Sequence, residues 1–188
     1  MRELIFFLEE QSAKEMLDGL LPKLLGENAS YRCIHFEGKQ HLEKQLERRL
    51  RNWRNPDACF VVLRDQDSAD CVAVKHRLID ICNAAGKPNT LVRIVCHELE
   101  SWYLGDLQAV ETGLKLSGLS RLQQKSKYRN PDQLSNAKQE LKALTKNRYQ
   151  QILGSREIGR HMSLENNLSQ SFNVFVAGIQ RLMNQEVC

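Results

Sequence analysis

An apolar run, Phe60-Val61-Val62-Leu63, breaks off into Arg64-Asp65-Gln66-Asp67, with Asp70 close behind. A turn uses one aspartate to hold its own backbone; two, separated by a single residue, ask for another explanation. On an extended segment residues i and i+2 point the same way, so Asp65 and Asp67 are predicted to reach one common cation. Two other strand-like runs also end in acids. Residues 3–8 lead to Glu9-Glu10, and residues 90–96 lead through His97 to Glu98-Leu99-Glu100. Carboxylates gathered in one crevice repel each other and raise at least one pKa, a cost that a divalent cation removes. Mg²⁺ takes hard oxygen ligands, usually one or two carboxylates together with substrate phosphates. The pattern therefore predicts Mg²⁺ or Mn²⁺ held by Glu9, Asp65, Asp67 and Glu98. A helix would turn Glu98 and Glu100 about 200° apart, and Glu98, nearer the strand, is preferred. Glu10 and Glu100 are reserve candidates. A single acid in such a place has a plainer use, and Asp65 or Asp70 would also serve as a helix cap.

The elements that must position these acids alternate. Short apolar runs at 3–8, 31–36, 59–64 and 90–96 read as strands fully covered on both sides. Between them, helical spacing is visible in 12–25, where Pro22 is expected to kink or end the helix. It recurs in 39–53, where Leu42, Leu46, Leu50 and Trp53 make one stripe, and from about 70 to 85, closed by Gly86 and Pro88. Strands separated by helices call for right-handed crossovers and a mainly parallel four-stranded sheet with helices on both faces. In such α/β sheets ligands gather outside the carboxyl ends of the strands, which is where the acids fall. The expected organisation is an α/β, Rossmann-like core over 1–105 and a helical extension over 106–188, packed together as a single domain. Within the extension, 115–137 reads as an ordered loop or mobile arm. A last helix from about 168 to 183 presents Phe172, Phe175, Val176, Ile179 and Leu182 to cap the sheet.

With 188 residues, 41% hydrophobic and 27% charged, the chain fits one soluble domain with a full core. No apolar run approaches the roughly 18 to 20 residues that cross a bilayer, and the start of the chain is too short for a signal peptide, so a cytoplasmic protein without a membrane partner is expected. Six cysteines, Cys188 among them, show no C-x-x-C spacing; they read as cytosolic thiols rather than zinc ligands. The net charge of +4 is uneven: residues 121–149 carry 8 Lys and Arg against 2 Asp and Glu. Such a band is the footprint of a polyanion. Lys125, Lys127, Arg129, Lys138, Lys142 and Arg148 are candidate phosphate contacts, and Tyr128 is a candidate platform for an exposed base. Arg48, Arg49, Arg51 and Arg54 would extend the track. His161 is a lesser site candidate, on the condition that the last helix folds back over the crevice. Trp102 and Tyr103 are expected to wedge their helix against the sheet and set the angle of Glu98.

The acidic pattern resembles the Toprim domain of topoisomerases, bacterial primases, overcoming-lysogenization-defect (OLD) nucleases and some ribosomal RNA maturases. Its signature is a glutamate after the first strand and D-x-D after the third, matched here by LIFFLEEQS and FVVLRDQDS; OLD-type nucleases add a later acid, offered by VCHELESWYLGD. A closer likeness, running nearly end to end, is to a Toprim-like family of small bacterial proteins with LVEEPS, DQDS, ELEAWYLGD and KYRNPD motifs. This chain has LEEQS, LRDQDSADC, ELESWYLGD and KYRNPD, with glutamine in place of the proline after the glutamates. The resemblance implies Glu9 as metal ligand or general acid–base, Asp65 and Asp67 as ligands, and Glu98 at a second metal. It implies Mg-dependent phosphodiester hydrolysis of nucleic acid, DNA before RNA, by the effector or accessory component of a defence system with an ABC-type ATPase partner. Two alternatives remain at this stage: a phospho-acceptor-like Mg-binding module, and a non-catalytic subunit that regulates an ATPase.

Overall fold

The computed structural model describes residues 2–27 and 29–184. Four parallel strands, β1 (Arg2–Leu8), β2 (Ala29–His35), β3 (Cys59–Asp65) and β4 (Leu91–Val95), form one sheet in the order β2-β1-β3-β4. The order reverses at β1, so β1 and β3 are the central pair, with Leu8 opposite Leu63. Their tips therefore end side by side, and Glu9 follows one while Asp65 ends the other. Side-chain alternation divides the core. Leu4, Phe6, Leu8, Val61 and Leu63 face one layer of helices, while Ile5, Phe7, Phe60 and Val62 face the other.

The second layer consists of α2 (Lys39–Arg51) and α3 (Cys71–Ala84). Leu42, Leu46 and Leu50 of α2 are buried as their spacing predicts, but Trp53 lies beyond the helix end, edge-on to Phe7 and Phe60. Asp70 caps α3, its carboxylate accepting the Ala73 N–H at 2.7 Å. On the opposite face, α1 (Gln11–Leu25) carries Pro22 inside its last turn and continues past it to Gly26, whose φ of +57° closes the helix. Proline costs only one backbone bond there, so neither the kink nor the early end expected from Pro22 appears.

After β4 every regular element among the described residues is helical. The chain runs through α4 (Glu100–Leu104), α5 (Leu107–Gly113), α6 (Ser126–Arg129), α7 (Ala137–Leu144), α8 (Gln151–Gly159) and α9 (Gln170–Asn184), with two single-turn 3₁₀ segments beside α6. The stretch 115–137 is packed and is no free arm: Leu119, Tyr128, Pro131 and Ala137 are buried, and the Glu111 carboxylate accepts the Ser120 N–H at 2.7 Å. Phe172, Phe175, Val176, Ile179 and Leu182 of α9 are all buried, and Phe172 and Phe175 close on the Trp102 ring beside the sheet. Helices α1 and α8 cross at Gly19 and Gly159, where a Cβ on Gly19 would stand 2.7 Å from the Arg160 nitrogen and one on Gly159 would meet the Met16 carbonyl. Cys33, Cys71, Cys82 and Cys96 are free thiols, Cys82 pushed up to about 11 by burial; Cys188 lies outside the described residues. Among the described residues no helix is long and apolar enough to cross a membrane.

Candidate functional site

The acids of β1 and β3 meet at the carboxyl edge of the sheet. Glu9 turns its carboxylate across to β3, where Oε2 accepts the Asp65 backbone N–H at 3.1 Å. Its side chain is 12% exposed and stands 3.9 Å from Nε of Arg64. Burial pushes the Glu9 carboxyl above its ordinary value; the Asp65 N–H and the Arg64 charge oppose this, and the charges of Asp67 and Glu10 add to it. Asp65 is half-buried as a residue, with its carboxylate turned inward so that Oδ2 accepts the Leu99 N–H at 3.1 Å. Loss of solvent around that carboxylate, then the charges of Glu9, Glu100 and Glu10, hold Asp65 well above the usual carboxylate range against the single Leu99 hydrogen bond. Glu9, Asp65 and Asp67 are therefore one electrostatic cluster.

Asp67 enters the cluster by a different route from strand alternation. The strand ends at Asp65, and Asp67 takes a left-handed backbone, φ +55°, its N–H bonded to the His97 carbonyl at 2.8 Å. His97 is left-handed as well, at φ +57°, and its Nδ1 lies 3.2 Å from the Asp67 carbonyl. Two adjacent loops thus lock each other, and the Asp67 carboxylate is delivered outward to Lys39, the first residue of α2, at 2.7 Å. The rule that residues i and i+2 face alike fails here because the backbone leaves the extended region between them.

The two glutamates after β4 sit differently from the expectation. Glu98, the preferred ligand, accepts the Lys138 backbone N–H at 2.9 Å and so serves the otherwise uncapped first turn of α7. Glu100 is buried, bonded to the Tyr149 hydroxyl at 2.9 Å, and it is the glutamate whose charge acts on Asp65. Leu99 already has helical dihedrals ahead of α4, and Trp102 and Tyr103 are fully buried against the sheet, so the wedge they form turns Glu100 inward rather than Glu98. Burial raises the Glu100 carboxyl, while Tyr149 and then Lys138 lower it.

In kind, these donors fit Mg²⁺ or Mn²⁺: hard oxygens from separate strand ends whose mutual repulsion is only partly relieved. In arrangement, each is held by an internal partner. Among the described residues no three or more His, Cys, Asp or Glu side chains stand ready to hold a metal ion. Lys39 would have to release Asp67, and Glu9 would have to turn from the Asp65 N–H.

A family model described as Domain of unknown function (DUF4276) matches residues 8–180, which takes in both acid-bearing tips and most of the helical part. The chain belongs to that family. No curated protein and no solved structure matches it.

In this DUF4276 chain the helical part reaches Glu10 through one amide, as it reaches Glu98 through Lys138 and Glu100 through Tyr149. Gln151, first in α8, donates to Glu10 at 2.6 Å and accepts from Lys138 Nζ at 2.7 Å. Lys125, Arg129, Lys142 and Arg148 are exposed, Arg129 with its Nε on the Gln124 carbonyl at 2.9 Å. Lys127 is tied to Glu140 at 2.7 Å. Tyr128 is 6% exposed, its hydroxyl on Glu140 at 2.6 Å, so the ring belongs to the core and offers no face to a base. Of the arginines at and just past the end of α2, Arg51 is spent on Glu47 and the Ala84 carbonyl. His161 lies past the end of α8, between residues whose carbonyls bind Lys23 near the far end of α1, away from the acid rim. Ser169 and Ser171 are instead buried on Asp132 at the start of α9.

Sequence reasoning missed two neighbours of the site. Arg64 is 4% exposed, lies 3.6 Å from Glu43 and 3.9 Å from Glu9, and has Nε and Nη1 without a hydrogen-bond acceptor. Adjacency to Asp65 hides it, because alternation sends the two to opposite faces. Lys39 follows the Gly38 turn at the tip of β2, and a glycine before a helix-starting lysine at a strand end was the available signal.

Proposed function

We propose that this protein is a metal-dependent phosphodiester hydrolase acting on nucleic acid, with a site of the Toprim type. The observation that carries the proposal is the convergence of Glu9, Asp65 and Asp67 at the tips of the two central strands, with Asp65 held well above the usual carboxylate range by burial and then by the charges of Glu9 and Glu100. Each acid makes a structural bond, yet gathering them at one sheet edge carries a cost in repulsion and burial that a bound cation would relieve. Glu9, Asp65 and Asp67 would hold Mg²⁺ or Mn²⁺, one ion or two, and the metal would supply Lewis acidity at the phosphodiester.

The chain's own groups account for the rest. Glu9, with its raised carboxyl, is suited to carry a proton to or from a reacting oxygen. Asp65 is fixed by the Leu99 N–H, and the left-handed pair Asp67 and His97 fixes the loop that carries the third carboxylate. Exposed Lys125, Arg129, Lys142 and Arg148 neutralise the phosphate backbone without reading sequence. The ABC-type ATPase companion and the defence setting implied by the Toprim-like resemblance belong to the same proposal, as does the preference for DNA.

The test is cleavage of plasmid and single-stranded substrates by purified protein with Mg²⁺ or Mn²⁺, compared with Asp65→Asn and Asp67→Asn. Cutting by the wild type alone supports the reading. Equal cutting by all three points to a contaminant and removes it. Stimulation of a co-purifying ATPase without any cleavage replaces it with a regulatory role.

A further inference from the structure

A hollow of about 350 Å³ opens between the start of β4 and the second half of α9. All four strands run parallel, so the start of β4 lies at the edge of the sheet away from the acid cluster. The size is near the low end of the about 300–1,000 Å³ typical of ligand sites. Arg93 and Arg181 line the hollow, and no aspartate or glutamate does. Neither segment that builds it supplies one. Residues 86–96 and 170–184 contain no acid, and their cations are Lys87, Arg93 and Arg181.

Arg93, the middle residue of β4, is half-buried and turned to α9. Its Nη1 donates to the Val92 carbonyl at 2.9 Å and its Nε to the Val174 carbonyl at 3.3 Å, which holds the guanidinium in one orientation. Nη2 lies against Gly178, where a Cβ would stand 2.7 Å away. Glycine weakens the interior of a helix, and here its missing side chain is what admits the guanidinium. Arg181 follows one turn later on α9 and is exposed. Burial, then the Arg181 charge, lower the Arg93 guanidinium from its ordinary value, and no carboxylate acts in the other direction. A plainer use for Arg93 is to guard the sheet edge, because an inward charge on an edge strand discourages further pairing. A guard needs neither a guanidinium fixed against a glycine nor a second arginine beside it.

We infer that this hollow is a binding site for a phosphate-type oxyanion, held by the Arg93 guanidinium and the Arg181 charge, with the Asn89 amide as a further donor. A guanidinium matches phosphate because its planar N–H groups meet two oxygens at once. Nη2 of Arg93 carries no other bond among the described residues and is the group free to do so. A dianion relieves the repulsion between the two arginines more fully than a single carboxylate can. The free phosphate ion and the phosphate group of a small molecule share this chemistry, and the volume leaves room for a body attached to the phosphate. The site stands at the other edge of the sheet from Glu9, Asp65 and Asp67, and it does not depend on the phosphodiester reading.

The experiment is calorimetry and thermal melting of the full chain in EDTA, with ionic strength held constant by chloride. The probes are inorganic phosphate, adenosine monophosphate and adenosine. Phosphate is expected to bind and to raise the melting temperature where chloride does not, and adenosine to do neither. Adenosine monophosphate bound about tenfold tighter than phosphate or more assigns the site to a phosphorylated small molecule, and equal affinity assigns it to the free ion. Arg181→Gln, at an exposed position, is expected to weaken binding about tenfold or more with unchanged circular dichroism, the loss of a charged hydrogen-bond partner. Gly178→Ala is expected to weaken it as well, because the new Cβ pushes the Arg93 guanidinium aside while alanine favours the helix. Three results overturn the inference and leave Arg93 as a guard of the sheet edge: no phosphate binding beyond chloride, adenosine bound as well as its monophosphate, or wild-type affinity in either variant.

Discussion

The Glu9 carboxylate accepts the backbone N–H of Asp65 at 3.1 Å, so the tip of β1 is tied to the tip of β3 by one of the acids that crowd there. The bond offsets part of the cost of burying Glu9 and does nothing for the Asp65 carboxylate, which faces Glu9 and Glu100 with only the Leu99 N–H in support.

Asp65→Asn should therefore stabilise the fold while removing the function. Because the carboxyl is held above its ordinary value, the native protein binds that proton more tightly than the unfolded chain. Stability is then lost as pH rises from the ordinary carboxylate range through the raised value. Asparagine keeps an oxygen for Leu99 and carries no charge. In EDTA at neutral pH the variant should melt higher by about 2–4 °C for each kcal/mol recovered, and the advantage should shrink toward about pH 4. Identical melting curves at both pH values would mean that the cluster is not repelling itself.

Lys39→Met should tighten binding of Mn²⁺. The Lys39–Asp67 pair is 2.7 Å long but well exposed, 47% and 38% by side chain, so breaking it costs about 1 kcal/mol at most. The gain in affinity is thus up to about fivefold, read by calorimetry or by the thermal shift on adding metal. Weaker metal binding in the variant would show that Lys39 supports the site rather than occupying it.

Tyr149→Phe and Glu98→Ala separate the two glutamates after β4. Removing the Tyr149 hydroxyl takes the side-chain donor from buried Glu100, a loss of about 1–3 kcal/mol. Removing Glu98 takes one acceptor from the first turn of α7, in the range of a lost cap, about 0.5–2 kcal/mol. Chemical denaturation of both variants checks the order. A larger loss for Glu98→Ala would reverse the assignment of the buried partner.

All four strands, the long helices of the sheet and the buried stripe of α9 could be read from the sequence because each rests on a local period. Asp70 was legible as a cap for the same reason. What could not be read depends on contacts distant in the chain. Glu98 and Glu100 are sorted by where α4 begins and by the arrival of Lys138 and Tyr149, some forty to fifty residues later. Asp67 departs from the period of two because His97, thirty residues on, pins its loop. The polarity of 115–137 left an ordered loop and a mobile arm equally open, and Tyr128, read as a base platform, is among the residues that bury the segment and decide for order. Composition reports how wet a segment is on average, not which few side chains anchor it.

Gly159→Ala should loosen the site from a distance. A Cβ there would collide with the Met16 carbonyl, a backbone atom in the middle of α1 that cannot swing aside. Overpacking of this kind costs about 1–3 kcal/mol. The same shift would carry α8 away from α1, and with it Gln151 from Glu10. The variant should melt lower and bind nucleic acid more weakly, whereas an exposed substitution such as Glu165→Ala should change neither. A variant as stable as the wild type would show that the helices separate freely at this crossing.

Salt dependence tests the basic band by its individual members. Contacts to phosphate release counterions, so the logarithm of the binding constant should fall linearly with that of salt between about 50 and 200 mM, by about 0.7 for each phosphate neutralised on a single strand. Exposure ranks the residues. Lys142 and Arg148 are exposed, and Lys142→Gln and Arg148→Gln should each lower the slope by about 0.7 and weaken every sequence alike. Lys127 is held at 2.7 Å by Glu140, which also takes the buried Tyr128 hydroxyl, so its charge is largely spent and Lys127→Gln should leave the slope near that of the wild type. If Lys127→Gln lowers the slope as much as Arg148→Gln, the Glu140 pair opens on binding and Lys127 joins the contact. If none of the three changes it, phosphates do not run along this face and the charge of 121–149 serves another purpose.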